Sequence, residues 1–593
     1  MPLLLASPSS LSLRAIEPVP PPSSADRKER AEPDTPSPDL FDALGELVGD
    51  LDGDSMCEWL RSQIVGAEAE FKSPFGRRRI TYSDHTASGR FLRFVEELIA
   101  RDVLPFYGNT HTVDSYVGLH TTKLVHQSAQ YIKRCMGAGP GDALLFCGTG
   151  STAAIKRLQE VMGITVPSTL RSAVLEHLPP SDRWVVFVGP YEHHSNLLSW
   201  RQSLAQVVEI GLDEFGLVDL DALEKALGSP EYSGRPKLGS FSACSNVSGI
   251  HTDTRGVARV LHSHGAFACF DFACSAPYTS IVMRPDESDG YYDAIVLSPH
   301  KFIGGPGSSG ILLMSQDLYR IKGSPPSTSG GGTVLYVSGH DEKDVVYCDD
   351  IEEREDAGTP AIIQKIRASI AFWVKERMGH AFIRAKEASF LQRALERLLN
   401  NDKVRVLGNT DRVDRQPIVS FLVYPEGGAA VSGKHLHCRF VTKLLNDLFG
   451  IQARGGCACA GPYGHVLLGI GIERSKAIKS AVERGWNGVK PGWTRVSFAY
   501  YSTEEEMEFV VSAIEFVAEH GRSFLPLYSF DWRTGNWECS IRKGLLPVEH
   551  TSARTCYCNY LTAARSIVDS LQDPLVERVI PKNVDSQLVT FVI

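Results

Sequence analysis

The sequence predicts an α/β protein built on a largely parallel sheet, and three observations carry this. Apolar runs at residues 143–147, 184–188, 238–244, 266–270 and 294–297 are separated by stretches of helical character, and a further apolar run starts at Ile311. Strands alternating with helices call for crossover connections, and so for parallel pairing. Finally, the strand runs stop abruptly in polar clusters, and open α/β sheets bind ligands just beyond the C-terminal ends of their strands.

The elements follow in order. Residues 1–38 read as a disordered leader: a Leu- and Ser-rich start with Arg14 and no acid loosely resembles an organelle transit segment, and 18–38 is too rich in proline, serine and charge to bury a core. From 39 to 71 apolar residues recur at helical spacing, with Asp39 a plausible cap. Residues 80–90, ITYSDHTASGR, run from a short strand into a polar turn holding Asp84, His85 and Ser88. An amphipathic helix is expected over 91–104, followed by an irregular polar loop at 107–115.

After the strand 143–147, Gly148, Thr149, Gly150, Ser151 and Thr152 lead into a helix expected to start near Ala153. Backbone N–H groups and hydroxyls converge at such a helix start, where the dipole favours an anion, so this is a candidate phosphate cradle. After the next strand come His193, His194, Ser195 and Asn196. Adjacent histidines can ligate a metal, but no further His or Cys stands at zinc spacing nearby, which leaves stacking or hydrogen bonding as their use and no metal expected. The strand 238–244 ends in SNVSGIHTD, and 266–270 runs into Asp271, which either caps the next helix or pairs with a heterocyclic nitrogen. The run 294–297 stops at Ser298, Pro299, His300 and Lys301, before a loop of Gly304, Gly305, Pro306 and Gly307. Taken alone, this motif reads first as a turn with a surface lysine; at a strand end beside a glycine-rich loop, Lys301 suits a Schiff base to an aldehyde cofactor.

A glycine-rich loop at 327–338 and REDAGTPAIIQ at 354–364 lead into a long amphipathic helix ending near Met378. A smaller domain is expected beyond it, with a helix over 380–400, strands at 404–407 and 418–423, a helix over 433–449, a loop at 450–466 and a strand near 494–500. In IQARGGCACAGPYGH, Arg454 precedes a Cys457-Ala458-Cys459 triplet flanked by glycines. A Cys-x-Cys is either half of a zinc site, with Cys556 and Cys558 repeating the spacing, or a nucleophile on a glycine-flanked loop.

Composition sets outer bounds. A chain of 593 residues with 43% hydrophobic content holds about two or three domains. A net charge of -9 without a long basic run gives no support for nucleic acid as a partner. No apolar run approaches a membrane span, and thirteen scattered cysteines argue for reduced thiols in an intracellular compartment, cytoplasmic or organellar, mitochondrion and plastid included.

Taken together, EHHSNLLSW, the Ser298–Lys301 motif, REDAGTP, RGGCACAGP and TRVSFAYYSTEEE resemble the class V aminotransferases of the fold-type I enzymes that use pyridoxal 5′-phosphate (PLP). The nearest resemblance is to the cysteine desulfurases and selenocysteine lyases, from about residue 80 to about 516, with insertions near 160–182 and 320–350. It implies a large PLP-binding domain at 111–365 with a mostly parallel seven-stranded-type sheet. It further implies an entry segment at 39–110 and a small α+β domain at 366–530 carrying the cysteine loop; residues 531–593 lie outside the resemblance, and their Trp and Cys content suggests an ordered appendage. By the same resemblance Lys301 is the Schiff-base lysine, His193 stacks on the cofactor ring and Asp271 pairs with its nitrogen. Ser151, Thr152, Ser298 and His300 hold the phosphate, with Thr333 reaching the phosphate of the other subunit of a homodimer. Asn246 lies near the ring or substrate, Arg495 grips the substrate carboxylate, and Arg454, Asp84 and His85 surround a small amino-acid substrate. Cys459 is the sulfur-accepting nucleophile, passing its persulfide to a sulfur-acceptor protein. Two positions depart from the family: Cys274 stands where a glutamine is usual, and Cys457 and Ala458 replace two histidines. The implied reaction is removal of sulfur from L-cysteine; the alternatives are another class V reaction without the loop cysteine, as aminotransferase, epimerase or lyase, and a scaffold without turnover.

Overall fold

The expected strands of the main sheet fall close to their places and are buried on both faces, whereas the edge strand Gln206–Glu209, only half-buried, is not among them. The computed structural model describes residues 40–286, 289–411, 413–427, 433–540, 557–571 and 578–593. Seven strands make the main sheet: β1 (Asp142–Cys147), β2 (Val185–Val188), β3 (Gln206–Glu209), β4 (Lys237–Ser242), β5 (Phe267–Asp271), β6 (Ala294–Leu297) and β7 (Gly310–Ser315). Their order is β1-β7-β6-β5-β4-β2-β3, and β7 alone runs antiparallel to its neighbours. Successive side chains of β2 go to opposite sides. Val185 and Phe187 join one core, with Val257 and Leu261 of the helix Thr254–Ser263, while Val186 and Val188 join the other, with Ile155 and Leu158 of the helix Gly150–Val161. Helices on both faces explain why the strands read as continuous rather than alternating hydrophobic runs. The α/β class and the mostly parallel sheet are as expected.

A second sheet, β8 (Val404–Val406), β9 (Ile418–Val423), β10 (Arg454–Gly456) and β11 (Trp493–Ser497), is antiparallel in the order β8-β9-β11-β10. Its other face packs on the helices Cys438–Phe449 and Glu504–His520. Val48–Ile593 is one compact unit, and Met1–Leu47 is another, described here only from Leu40. The hairpin Tyr528–Asp531/Asn536–Cys539 and the helix Tyr557–Ser570 put Tyr528, Trp537 and Tyr560 into the second core, and Phe591–Val592 pairs parallel with His435–Leu436. No helix among the described residues is long and apolar enough to cross a membrane.

Several expectations need correction. The helix after Thr149 starts at Gly150, three residues early. The helix expected over 91–104 is Arg93–Leu98, then a wider turn Ile99–Val103 and a tight turn Leu104–Phe106 around Pro105, which has no N–H to continue the ladder. The helix Ile362–Met378 is buried almost all round rather than amphipathic, and its charged groups are matched inside: Lys365 Nζ lies 2.6 Å from Asp356, and Lys375 Nζ donates to the Thr279 carbonyl at 2.6 Å. The helix expected from 433 starts at Cys438, because His435–Leu436 is drawn out as a strand. The expected loop 450–466 holds Ile451–Gln452, β10 and the helix Gly461–Leu467. The leader 1–38, the Asp39 cap and Cys556 lie outside the described residues.

Candidate active site

Just past the C-terminal ends of β1, β2, β4, β5 and β6 the chain encloses a cavity of about 220 Å³. Lys301 enters it from the single turn Pro299–Lys301, which the long buried helix supports by stacking Phe372 on Phe302 at 4.9 Å. The entry segment closes on the same turn, where Gly89 N–H donates to the His300 carbonyl at 2.9 Å; a Cβ on Gly89 would lie 1.9 Å from the Phe302 carbonyl oxygen. The Lys301 ammonium pKa is lowered by burial, against the opposing pull of Cys274 and Asp271. Its Nζ makes no hydrogen bond or ion pair among the described residues, although it lines the cavity.

Asp271 ends β5 with one carboxylate oxygen accepting the Ala273 N–H at 2.9 Å. Burial raises its pKa, while the Ala273 N–H and then Lys301 hold it down. His193 caps the helix His194–Gln202, its Nδ1 accepting the Ser195 N–H at 3.2 Å. That bond leaves the neutral ring's proton on Nε2, and burial followed by the Lys301 charge keeps the imidazole neutral by lowering its pKa to about 4.

At the start of the helix Gly150–Val161, Ser151 N–H donates to Ser298 Oγ at 2.8 Å, and the Thr152 and Ser195 hydroxyls meet at 2.7 Å. His300, its pKa lowered to about 4 by burial and then by Lys301, packs beside them. Gly150 has φ of 67°, and a Cβ there would meet the His300 ring at 2.9 Å and Ser298 Oγ at 3.0 Å. Only glycine lets these groups close round one point at a helix N-terminus, a setting suited to an anion.

Across the cavity, Arg495 on β11 and Arg454 on β10 are directly opposed. Arg495 Nη2 pairs with Asp84 at 2.7 Å, its Nη1 donates to the Asn246 carbonyl at 2.8 Å, and its buried Nε has no hydrogen-bond partner among the described residues. The Arg454 side chain makes no hydrogen bond or ion pair among the described residues. A planar cation with a donor to spare beside a second cation is the donor set a carboxylate calls for.

Of the residues singled out in the sequence, Ser151, Thr152, Ser298 and His300 form one wall of the cavity; His193, Asp271 and Lys301 form a second; Asn246, Arg454 and Arg495 form a third. Others lie elsewhere. Asp84 reaches the site through Arg495. His85 does not line this cavity: it is buried between the Tyr82 and Tyr501 rings, hydrogen-bonded to the Tyr501 hydroxyl at 3.0 Å, and fronts a different cavity. Thr333 is fully buried, its hydroxyl donating to the Gly330 carbonyl of its own loop at 2.8 Å, so within this chain it braces that loop rather than facing a cavity. Cys459 is not at the cavity wall either; its neighbour Ala458 is, held by the Asn246 amide at 2.8 Å.

Other participants had been passed over as site residues. Cys244 and Cys274 both line the cavity and share Gln416 Oε1, at 3.7 and 4.0 Å. The hydrogen bond from Cys244 lowers the Cys274 pKa, while burial raises that of Cys244. Buried Glu192 accepts the Ser242 N–H at 2.8 Å and the Ser242 hydroxyl at 2.7 Å, and so ties the β2 and β4 ends together. Its sequence signal was an acid directly before the two histidines.

The donor set fits PLP: an unpartnered buried amine for the aldehyde, a buried carboxylate for the ring nitrogen, a neutral imidazole beside it and an anion cradle for the phosphate. Comparison with known proteins points the same way. The family model for class-V aminotransferases matches residues 81–510. A probable cysteine desulfurase of Streptomyces coelicolor is 28% identical over 332 residues, 56% of this chain and 69% of its own length. One from Vibrio cholerae is 26% identical over 422 residues, 70% of this chain and 88% of its own. Among solved structures, the apo cysteine desulfurase of Thermococcus onnurineus aligns over 78% of this chain and 98% of its own with a TM-score of 0.59 at 23% identity. The cysteine desulfurase CsdA of Escherichia coli aligns over 77% and 97% with 0.57 at 21%. At those identities the structural likeness is one of fold.

Proposed function

The chain belongs to the class-V aminotransferase family of PLP-dependent enzymes, and from that premise we propose that it removes sulfur from L-cysteine, leaving alanine and a persulfide on Cys459. When bound, PLP supplies an aldehyde to Lys301 and a ring that stores the charge left by the substrate's α-proton. Ser151, Thr152, Ser298 and His300 would hold its phosphate, Asp271 would pair with its ring nitrogen, and neutral His193 would stack on the ring. Asp271, whose ionised form burial disfavours, would be held ionised by a pyridinium beside it.

Arg495, steadied by Asp84 and Asn246, orients the substrate by its carboxylate, with Arg454 beside it. Freed Lys301 takes the α-proton from Cα; burial lowers its pKa and so favours the neutral, basic amine. The Cys459 thiolate then attacks the substrate sulfur, and the carbon–sulfur bond breaks. The observation that carries this reading is the convergence of Lys301, Asp271 and His193 on one cavity, with the Lys301 amine unpartnered.

The persulfide passes to an acceptor protein, and the enzyme works as a homodimer. The hairpin Val334–Val337/Val345–Tyr347 supports the dimer: Leu335, Tyr336 and Val337 are more than half exposed, and so are Val113 and Tyr116. Thr333 lies at the base of that hairpin, its hydroxyl donating to the Gly330 carbonyl.

The test is to load purified protein with PLP and follow alanine and sulfide from L-cysteine in the presence of a dithiol, beside Cys459→Ala. Alanine and sulfide from the wild type, with sulfur transfer lost in the variant by at least a hundredfold, is expected. Undiminished turnover in Cys459→Ala would turn the assignment to another class-V reaction on Lys301.

A further inference from the structure

The turn bearing Cys459 holds a second thiol that the proposed reaction does not use. Ala460 N–H donates to the Cys457 carbonyl at 3.0 Å, and both residues between them have positive φ, 49° at Ala458 and 57° at Cys459. A four-residue turn left-handed at both centres is the mirror-image type, which glycine usually occupies, so two side chains hold it under strain. The strain is met by fixed partners. His194 N–H donates to the Cys459 carbonyl at 2.8 Å, Asn246 Nδ2 to the Ala458 carbonyl at 2.8 Å, and Gly461 N–H to His194 Nε2 at 3.0 Å. A backbone N–H can only donate, so that last bond fixes the neutral His194 ring with its proton on Nδ1.

Partners outside the turn hold Ala458, Cys459 and Gly461, which opposes swinging Cys459 outward after it has taken up sulfur. Cys459 is half-buried, whereas Cys457 is exposed, and both are free thiols. Two trans peptides put the Cys457 and Cys459 Cα atoms at most about 7.6 Å apart, and less in a tight turn. That separation falls within reach of a disulfide, whose Cα atoms stand about 4.4–6.8 Å apart.

We propose that Cys457 is the resolving thiol of this site, discharging the Cys459 persulfide on the same turn. The step rests on the desulfurase reading above. The Cys457 thiolate attacks the Cys459 Sγ; the bond from that Sγ to the outer sulfur breaks; a Cys457–Cys459 disulfide forms, and hydrosulfide leaves and takes a proton. The two thiol sulfurs give up two electrons and the outer sulfur gains them, so no outside oxidant enters. Hydrosulfide departs readily, being a less basic leaving group than an alkyl thiolate. A solvent dithiol then reduces the exposed disulfide, one bond to the dithiol replacing it at a time, and restores both thiols.

The experiment uses the full-length PLP-loaded enzyme with one equivalent of L-cysteine, without reductant and without air. Alanine and sulfide are measured, and the acid-quenched, alkylated 457–459 peptide is weighed. The wild type is expected to release one sulfide per alanine and to leave a peptide lighter by two hydrogens. Cys457→Ser is expected to lose that reductant-free sulfide and to leave the peptide one sulfur heavier at Cys459. Because Cys457 is exposed, serine is accommodated; the cofactor absorbance band checks that the site is assembled. A stable persulfide on the wild type, or equal sulfide release by Cys457→Ser, overturns the resolving role while leaving the desulfurase reading intact. Alanine from neither protein overturns the desulfurase reading, and the step with it.

Discussion

Glu192 lies buried under the Ser242 donors, and burial raises its carboxyl from the ordinary 4.5 to about 7 despite the hydrogen bonds that oppose it. A carboxyl raised in the folded chain binds its proton more tightly there than in the unfolded chain. The Glu192 contribution to folding stability is therefore greatest below pH 4.5 and is lost as pH climbs to about 7. Buried neutral His193 acts in the opposite sense: its stability is full above 6.5 and is lost as pH falls toward about 4. Glu192→Gln has only the first dependence removed. Relative to wild type, the variant should gain about 3 kcal/mol between pH 4 and pH 8, whatever its offset at low pH. Urea unfolding across that range measures the difference; a constant gap would mean that Glu192 does not carry its proton to neutrality.

At the scale of elements, the helix Gly150–Val161 and the turn at Lys301 meet so closely that no side chain fits between them at Gly150. Gly150→Ala meets two obstacles, positive φ and the His300 ring, together worth about 1–3 kcal/mol. The strain falls on the groups proposed to hold the phosphate, so PLP affinity should drop about tenfold or more, about 1.4 kcal/mol per decade. Titration of cofactor-free protein with PLP reads this directly. Unchanged affinity would remove the anion cradle from this helix start. The same logic of fixed neighbours applies to the Cys457–Ala460 turn, whose contacts with His194 and Asn246 come from loops beyond β2 and β4 rather than from its own sheet.

For the whole molecule, the exposed side chains on the Val334–Val337 strand mark the surface most in need of a cover. Leu335→Glu combined with Tyr336→Ser should shift the protein from dimer to monomer in sedimentation velocity, with the circular-dichroism spectrum retained. A wild type that sediments as a monomer would rule out the homodimer outright. Beyond the hairpin, the two sheets share one compact unit: Leu422, Ala460, Tyr463 and Trp493 pack into the core of the main sheet. Arg495 and the cysteine turn are thereby carried to the strand ends of the main sheet.

The α/β class and the gathering of polar clusters at strand ends were legible in the sequence, as was Lys301 at the end of an apolar run. Each rests on local periodicity and on residues within a few positions of one another. The tertiary structure alone decided which way the distant pieces face. His85 stands outside the cavity, its ring nitrogen held by the Tyr501 hydroxyl 416 residues on. The helix Ile362–Met378 lost its expected exposed face because it is packed on nearly every side. Ala458 rather than Cys459 meets the cavity because Asn246 and His194 hold the turn's carbonyls. Sequence pattern records which residues prefer burial; which neighbour buries them is settled by packing and hydrogen-bond partners hundreds of residues away.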